Sequence, residues 1–142
     1  MEPHVTRLGK QIGARPVPDP QERTLLPATS YLYARPDVLA DPAKSQAIVD
    51  FLGAFVRAGK WSNGHEQEWG RHYYTQFQRI DAESTAAILA SQSDLLFQTA
   101  AEAQPHHQKL IDILHAAGSL PQRLDAAGSF VSTYDRVIVA NR

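Results

Sequence analysis

The feature that most limits the fold of this chain is that only one segment strongly favours a strand, while the sequence after it favours helices. Residues 29–34 combine β-favouring and aromatic side chains and are closed by Arg35 and Pro36. A lone strand would leave its backbone hydrogen-bonding groups without partners. We therefore predict that the rest of a sheet belongs to sequence outside this chain.

Helical signals begin at Pro36 and continue to the end of the chain. Asp41 is a typical N-cap, and Pro42 suits the first helical position. Apolar residues then recur at helical spacing, which predicts a long helix that ends near Asn63 and Gly64. Other predicted helices cover residues 5–11, ended by Gly13, and residues 36–39, 65–78, 81–91 and 104–117.

Three segments are less regular. Four prolines between residues 16 and 27 exclude a long helix there, and residues 14–17 fit a short strand. Residues 95–97 fit either a strand or a turn. Residues 130–139 fit either a last helix or a strand, so the sequence leaves both alternatives open.

Composition excludes several classes of protein. The 142 residues fit one domain, and 43% hydrophobic with 20% charged residues is typical of a soluble globular protein. The formal net charge of -1, with scattered Lys and Arg, argues against a nucleic-acid partner. The absence of cysteine excludes disulfides, thiolate nucleophiles and Cys-based zinc sites. Neither a secretory signal nor an apolar run of about 20 residues is present, so the chain as written is expected to stay in the cytoplasm.

The histidines offer a conceivable metal site that we do not favour. His65, Glu68 and His72 would share one helical face, but a solvated helix start explains them better. His106 and His107 are adjacent and point about 100° apart on a helix, which favours two surface residues. The sequence contains neither a Gly-x-Ser-x-Gly elbow nor a glycine-rich phosphate loop, so we predict no catalytic residue, metal or cofactor.

An aromatic cluster has two interpretations. Trp69, Tyr73 and Phe77, at i, i+4 and i+8, would share one face of the helix predicted over residues 65–78. Trp61, Trp69, Tyr73 and Tyr74 could form a binding surface, but helical spacing favours a place in the core. The adjacent Tyr73 and Tyr74 cannot both face inward. One of them is therefore expected at the surface or against a neighbouring element.

Six segments carry a resemblance to a known family through their order and spacing. They are residues 2–5, 13–17, 29–36, 39–43, 58–65 and 108–121. Together they resemble the last third of the ABC-importer binding proteins for aliphatic sulfonates, taurine and nitrate. Met1 stands where that family usually has Trp, so we expect the chain to be a truncated piece of such a protein.

The resemblance implies an α/β fold, namely the C-terminal part of a type II periplasmic-binding-protein fold that is mostly helical with one or two short strands. Residues 1–28 would be an irregular inter-lobe segment with a short strand. Residues 29–142 would be the C-terminal helical part of the first lobe.

The same resemblance implies a function in transport rather than catalysis. The chain would bind a small oxyanion such as a sulfonate, taurine or nitrate and deliver it to an ABC permease, in the periplasm or at the cell surface. The residues implied to bind the ligand are Glu2, His4, Thr29, Ser30 and Tyr31. The simpler interpretations are a frayed terminus for Glu2 and His4 and an ordinary strand start for Thr29 to Tyr31.

Two other functions stay open at this point. One is a fragment of an enzyme on the same fold, similar to a desulfinase or a thiamine-pyrimidine synthase. The other is a free-standing helical interaction module. In that case apolar faces left exposed by truncation would drive formation of a homodimer.

Overall fold

The computed structural model describes residues 3–15 and 29–142 of the chain. These residues are 71% helical and contain no strand. The described part is therefore all-helical, and the predicted α/β fold with one or two short strands is wrong.

Seven α-helices occur in the described residues. A π-helical segment, Arg71–Phe77, continues the fourth α-helix, and two 3-10 turns cover Ala126–Ser129 and Ser132–Tyr134. The α-helices are α1 His4–Ile12, α2 Pro36–Ala40, α3 Pro42–Gly64, α4 Glu66–Gly70, α5 Ala82–Ser91, α6 Ala100–Ala116 and α7 Asp135–Asn141.

The strand predicted over residues 29–34 is replaced by irregular chain. A strand is stabilised by pairing with a neighbour, and the described ranges provide none. Its aromatic residue Tyr31 instead packs against the rings of His107 and Phe130. Aromatic composition alone therefore predicted the wrong backbone.

The other open segments resolve as follows. Residues 95–97 are irregular, and residues 130–139 contain the 3-10 turn Ser132–Tyr134 followed by the first part of α7. Residues 14 and 15 are irregular, and the remainder of the strand predicted over 14–17 lies outside the described residues.

Local capping explains where the helices begin and end. Asp81 accepts a hydrogen bond of 2.8 Å from the Ser84 backbone N–H, as an N-cap does. Gly13 ends α1 in the left-handed region at φ 66°, and its N–H bonds the Gly9 carbonyl. α6 begins earlier than predicted because Thr99 and Glu102 form a capping box.

The described residues fall into two compact units, and the chain passes from one to the other within α3, between Arg57 and Ala58. The first comprises the described parts of Met1–Asp19 and Ala58–Leu96. Its core is a buried cluster of Tyr74, Ile80 and Ile88, against which Tyr73 and Leu89 pack. The α4 helix approaches α5 closely at Gly70, since a Cβ there would lie 2.5 Å from a Leu89 methyl carbon.

The second unit comprises the described parts of Pro20–Arg57 and Phe97–Arg142. Polar contacts join its elements: the Ala100 N–H donates to the Asp135 carboxylate at 2.9 Å, and Arg142 pairs with Glu102 at 2.7 Å. Its buried apolar side chains are Val56, Ala103, Ile111, Ala126, Tyr134 and Val137. The predicted division of the chain at residue 28 stays a prediction.

No helix within residues 3–15 and 29–142 has both the length and the apolar character needed to cross a membrane.

Candidate functional site

Three aromatic side chains form a continuous stack along the helix that begins at Glu66. The ring centroids of Trp69 and Tyr73 are 4.8 Å apart with planes 7° apart, and those of Tyr73 and Phe77 are 5.9 Å apart with planes 22° apart. Trp69 is 36% exposed and Phe77 is 72% exposed. We call Trp69, Tyr73 and Phe77 the aromatic ridge.

The segment that carries the three rings changes from α-helix to π-helix at Arg71. An α-turn contains 3.6 residues, so a step of four residues overshoots a full turn. A π-turn closes i→i+5 hydrogen bonds and contains more than four residues, so the same step falls short of a turn. The Gln78 N–H bonds the Tyr73 carbonyl at 2.9 Å in this pattern. The step from Tyr73 to Phe77 lies wholly within the π-helical segment, and most of the step from Trp69 to Tyr73 does as well.

Tyr73 connects the aromatic ridge to the core of the first unit. Its ring packs edge-on against Tyr74, with centroids 5.0 Å apart. Tyr74 is buried beside Ile80 and Ile88, and its hydroxyl accepts a hydrogen bond from the Gln92 side chain. The middle of the ridge is therefore held by packing, and a contact made there orders few additional groups.

Charged residues lie at both ends of the helix that carries the ridge. Glu66 and Glu68 occupy its first turn, and Arg79 lies two residues after its last residue, Phe77. All three side chains are exposed. Arg79 has a positive φ of 58°, a conformation that costs a non-glycine residue energy. The helix is thus acidic at its start and basic at its end.

The conceivable metal site at His65, Glu68 and His72 is not assembled. The His72 imidazole lies 3.8 Å from the Glu68 carboxylate, and its other nitrogen contacts Gln76 at 2.9 Å. His65 stacks on Trp61, and its Nδ1 lies 2.9 Å from the Trp61 carbonyl. Over residues 3–15 and 29–142, no group of three His, Cys, Asp or Glu side chains is placed to hold a metal.

An open depression of about 530 Å³ lies at the start of the same helix and is lined by residues 63–68. Asn63 lies at the edge of this depression, and its side-chain amide is already hydrogen-bonded within the protein. Its Oδ1 accepts from the Leu95 N–H at 2.9 Å, and its Nδ2 donates to the Leu95 carbonyl at 3.0 Å. The depression is too open to enclose a small molecule, since ligand pockets bury most of the ligand surface.

The residues implied to bind an oxyanion lie in different parts of the structure. Glu2 is outside the described residues, and His4 is the exposed first residue of α1 in the first unit. Thr29, Ser30 and Tyr31 belong to the second unit, where Ser30 is exposed and the other two are half-buried. Their assignment as ligand-binding residues stays a prediction.

Tyr31 has a partner that the sequence did not suggest. Its hydroxyl lies 3.2 Å from Nδ1 of His107, and both rings contact Phe130, with centroids 6.1 and 5.5 Å away. Burial raises the pKa of the Tyr31 phenol, with a smaller contribution from Tyr33. His107 is half-buried in this cluster, whereas its neighbour His106 is exposed as expected.

The aromatic cluster singled out in the sequence divides between core and surface. Tyr74 is buried and Tyr73 is half-buried, whereas Trp61 and Trp69 are exposed. The predicted helical face shared by Trp69, Tyr73 and Phe77 matches the observed stack, although Phe77 was not included in the candidate binding cluster.

Comparison with known proteins gives no family to which the chain could be assigned: no family model, no curated protein and no solved structure matches it. The resemblance to sulfonate, taurine and nitrate binding proteins therefore stays a prediction.

Proposed function

We propose that this chain is a helical interaction module that associates with a second copy of itself through the aromatic ridge. The observation that carries the proposal is Phe77, which is 72% exposed at the end of a stack anchored in the core. Exposed aromatic side chains on a preorganised surface are typical of the residues that dominate binding energy at interfaces.

A second copy suits the ridge because the ridge is complementary to itself. In an antiparallel pair related by a two-fold axis, Trp69 of one copy faces Phe77 of the other, and the two Tyr73 rings meet at the axis. The same arrangement brings the acidic helix start at Glu66 and Glu68 opposite Arg79 of the other copy. Aromatic and charged groups are then paired by one symmetry operation.

The size of the ridge favours a weak dimer. Each aromatic side chain buries about 150–250 Å² when fully covered, and these three are already partly covered. A standard stable interface buries about 800 Å² on each partner. The ridge alone provides less than this, so we expect association at micromolar concentrations or weaker, with some loss at high salt because the charged ends are screened.

Sedimentation velocity of the purified chain from low to high micromolar concentration tests the proposal. The sedimentation coefficient of the natural sequence should rise with concentration, whereas that of Phe77→Ala should not. Leu96→Ala is the matched control, because Leu96 is 84% exposed in the same unit but lies off the ridge.

Two outcomes would contradict the proposal. A sedimentation coefficient that is constant with concentration would exclude self-association in this range. Equal losses in the Phe77→Ala and Leu96→Ala variants would mean that general surface apolarity, rather than the ridge, drives association.

Binding of a small oxyanion for an ABC importer is the second candidate, and it has less support. It came from a resemblance that included a strand at residues 29–34, where the described chain is irregular. Thermal unfolding with and without millimolar taurine, alkanesulfonate or nitrate tests it, since a ligand that binds only the folded chain raises the melting temperature. An unshifted melt with all three would reject it.

A further inference from the structure

The end of helix α3 carries an asparagine that is followed directly by glycine, the pair Asn63 and Gly64. Gly64 is the last residue of the helix, and the next N–H, that of His65, bonds back to the Ser62 carbonyl at 3.2 Å. Gly64 is exposed and Asn63 is half-buried. Because helices fray at their ends, the peptide group between Asn63 and Gly64 has access to solvent and to non-helical conformations.

Glycine removes the steric barrier to one reaction of this asparagine. A side chain on the residue after asparagine hinders attack by that residue's backbone nitrogen, whereas glycine allows a close approach of the backbone. A Cβ placed on Gly64 would meet no other part of the protein within 4 Å. No tertiary contact therefore crowds the position from which the Gly64 nitrogen would approach Asn63.

We propose that Asn63 is a site of spontaneous deamidation through a succinimide formed with Gly64. The Gly64 nitrogen forms a bond to Cγ of Asn63, the bond from Cγ to Nδ2 breaks, and Nδ2 leaves as ammonia with the proton of the Gly64 N–H. Water then opens the ring at either carbonyl, which yields aspartate or isoaspartate. Solvent water is the only co-reactant. This inference goes beyond the proposed function and uses no residue of the aromatic ridge.

A contact with Leu95, in the same unit, restrains the reaction in the folded chain. Oδ1 of Asn63 accepts from the Leu95 N–H at 2.9 Å, and Nδ2 donates to the Leu95 carbonyl at 3.0 Å. Both polar atoms of the amide are therefore engaged, and the Gly64 nitrogen belongs to a helix. Attack on Cγ requires the side chain to leave Leu95 and the last turn of α3 to open. The rate is then proportional to the fraction of molecules that are open.

Deamidation removes the same contact permanently. An ionised aspartate has no N–H, so the Leu95 carbonyl loses its donor. The new negative charge lies at the C-terminal end of a helix, where the helix dipole opposes it. The depression lined by residues 63–68 also contains Glu66 and Glu68, which repel the new charge. The irregular segment that contains Leu95 is therefore released from the end of α3.

Peptide mapping by mass spectrometry, after incubation of the folded chain in mildly alkaline buffer, tests the proposal. The chain has two asparagines, and Asn141, which Arg142 follows, is the internal control. Deamidation should occur at Asn63 and not at Asn141. Gly64→Ala should suppress it without disturbing the fold, because the added methyl group meets no other part of the protein.

Two variants at Leu95 measure the restraint. Leu95→Pro removes the N–H that bonds Asn63, whereas Leu95→Ala keeps it. Deamidation should be about fivefold faster in the proline variant, since a net hydrogen bond of about 1 kcal/mol changes the open fraction by about that factor. The natural chain in denaturing urea has lost the restraint altogether, so it provides the same comparison if Leu95→Pro does not fold.

The release of the Leu95 segment is tested by urea unfolding of a variant that imitates one product. Asn63→Asp should lower the urea midpoint of the first unit. Gln67→Glu is the matched control, because it adds the same charge within the depression and leaves the Asn63 amide in place. Its midpoint should move little.

Four results would overturn the proposal. They are no deamidation at Asn63 in the folded chain, equal rates in the natural chain and in Gly64→Ala, equal rates in the folded and the urea-unfolded chain, and an unchanged midpoint for Asn63→Asp. Deamidation rates should be the same in the Phe77→Ala background, so failure of the self-association proposal would leave this test intact.

Discussion

Replacement of Ile88 by alanine tests whether the buried cluster of the first unit holds that unit together. Ile88 is completely buried, and it lies beside Tyr74 and Ile80. These side chains support Tyr73 in the middle of the aromatic ridge. Loss of packing at Ile88 should therefore weaken both the unit and the surface that it carries.

The expected loss in free energy of unfolding follows from the number of buried carbon atoms that the substitution removes. Ile88→Ala deletes three carbon groups, and each buried group contributes about 0.8 kcal/mol, which gives about 2.4 kcal/mol of lost transfer free energy. The cavity left behind adds to this, so the free energy of unfolding should fall by about 2–5 kcal/mol. Ile88→Val removes a single group and should lower it by about 0.5–1.5 kcal/mol.

Urea unfolding followed by tryptophan fluorescence is the assay. The chain has two tryptophans, Trp61 and Trp69, and both belong to the first unit, so the signal reports on that unit. Leu96→Ala is the control, and because Leu96 is 84% exposed its midpoint should move little. A loss below about 1 kcal/mol for Ile88→Ala would refute the assignment of Ile88 to the core.

Three further predictions concern local structure. Arg79→Gly should raise the urea midpoint of the first unit, because glycine relieves the positive φ of 58° at that residue, and a lower midpoint would contradict this. Thr99→Ala should lower the free energy of unfolding by about 0.5–2 kcal/mol because the α6 capping box is lost. Thr99→Ser keeps the hydroxyl and should largely preserve that free energy, and urea unfolding followed by circular dichroism measures both. The Arg142 guanidinium, with smaller contributions from Thr99, lowers the pKa of Glu102 from 4.5 to about 2. The ionised Glu102 carboxylate should therefore stabilise the fold fully above pH 4.5, and this stabilisation should be lost as the pH falls toward 2. Glu102→Gln should remove that part of the pH dependence of urea unfolding.

The sequence predicted most helices because their signals are local. Asp81 caps α5 and Gly13 ends α1, as their residue types indicate. The long helix from Pro42 extends to Gly64, close to the predicted stop. Each of these features depends on hydrogen bonds within a few residues, which a single sequence contains.

The misassigned elements depended on interactions outside the segment itself or on a competing local signal. Residues 29–34 have strand-favouring side chains, but a strand requires a partner that the described residues do not supply. The start of α6 was predicted at Gln104 and Pro105, whereas the capping box at Thr99 and Glu102 begins the helix at Ala100, four residues earlier.

The candidate site was only partly predictable. Helical spacing identified Trp69 and Tyr73 as neighbours, but the sequence favoured a core position for them. Exposure depends on what packs over a face, and that is set by tertiary structure rather than by spacing. The shared face of Trp69, Tyr73 and Phe77 was predicted by the same spacing, whereas the π-helical form of Arg71–Phe77 was not predicted.

Hydrogen exchange of the full chain at low and at high micromolar concentration is the most direct test of self-association through the aromatic ridge. If two copies pair there, amides from Glu66 to Gln78 should exchange more slowly at the higher concentration, and amides of α7 should be unchanged. Exchange that is independent of concentration from Glu66 to Gln78 would contradict the account, as would protection that appears only in α7.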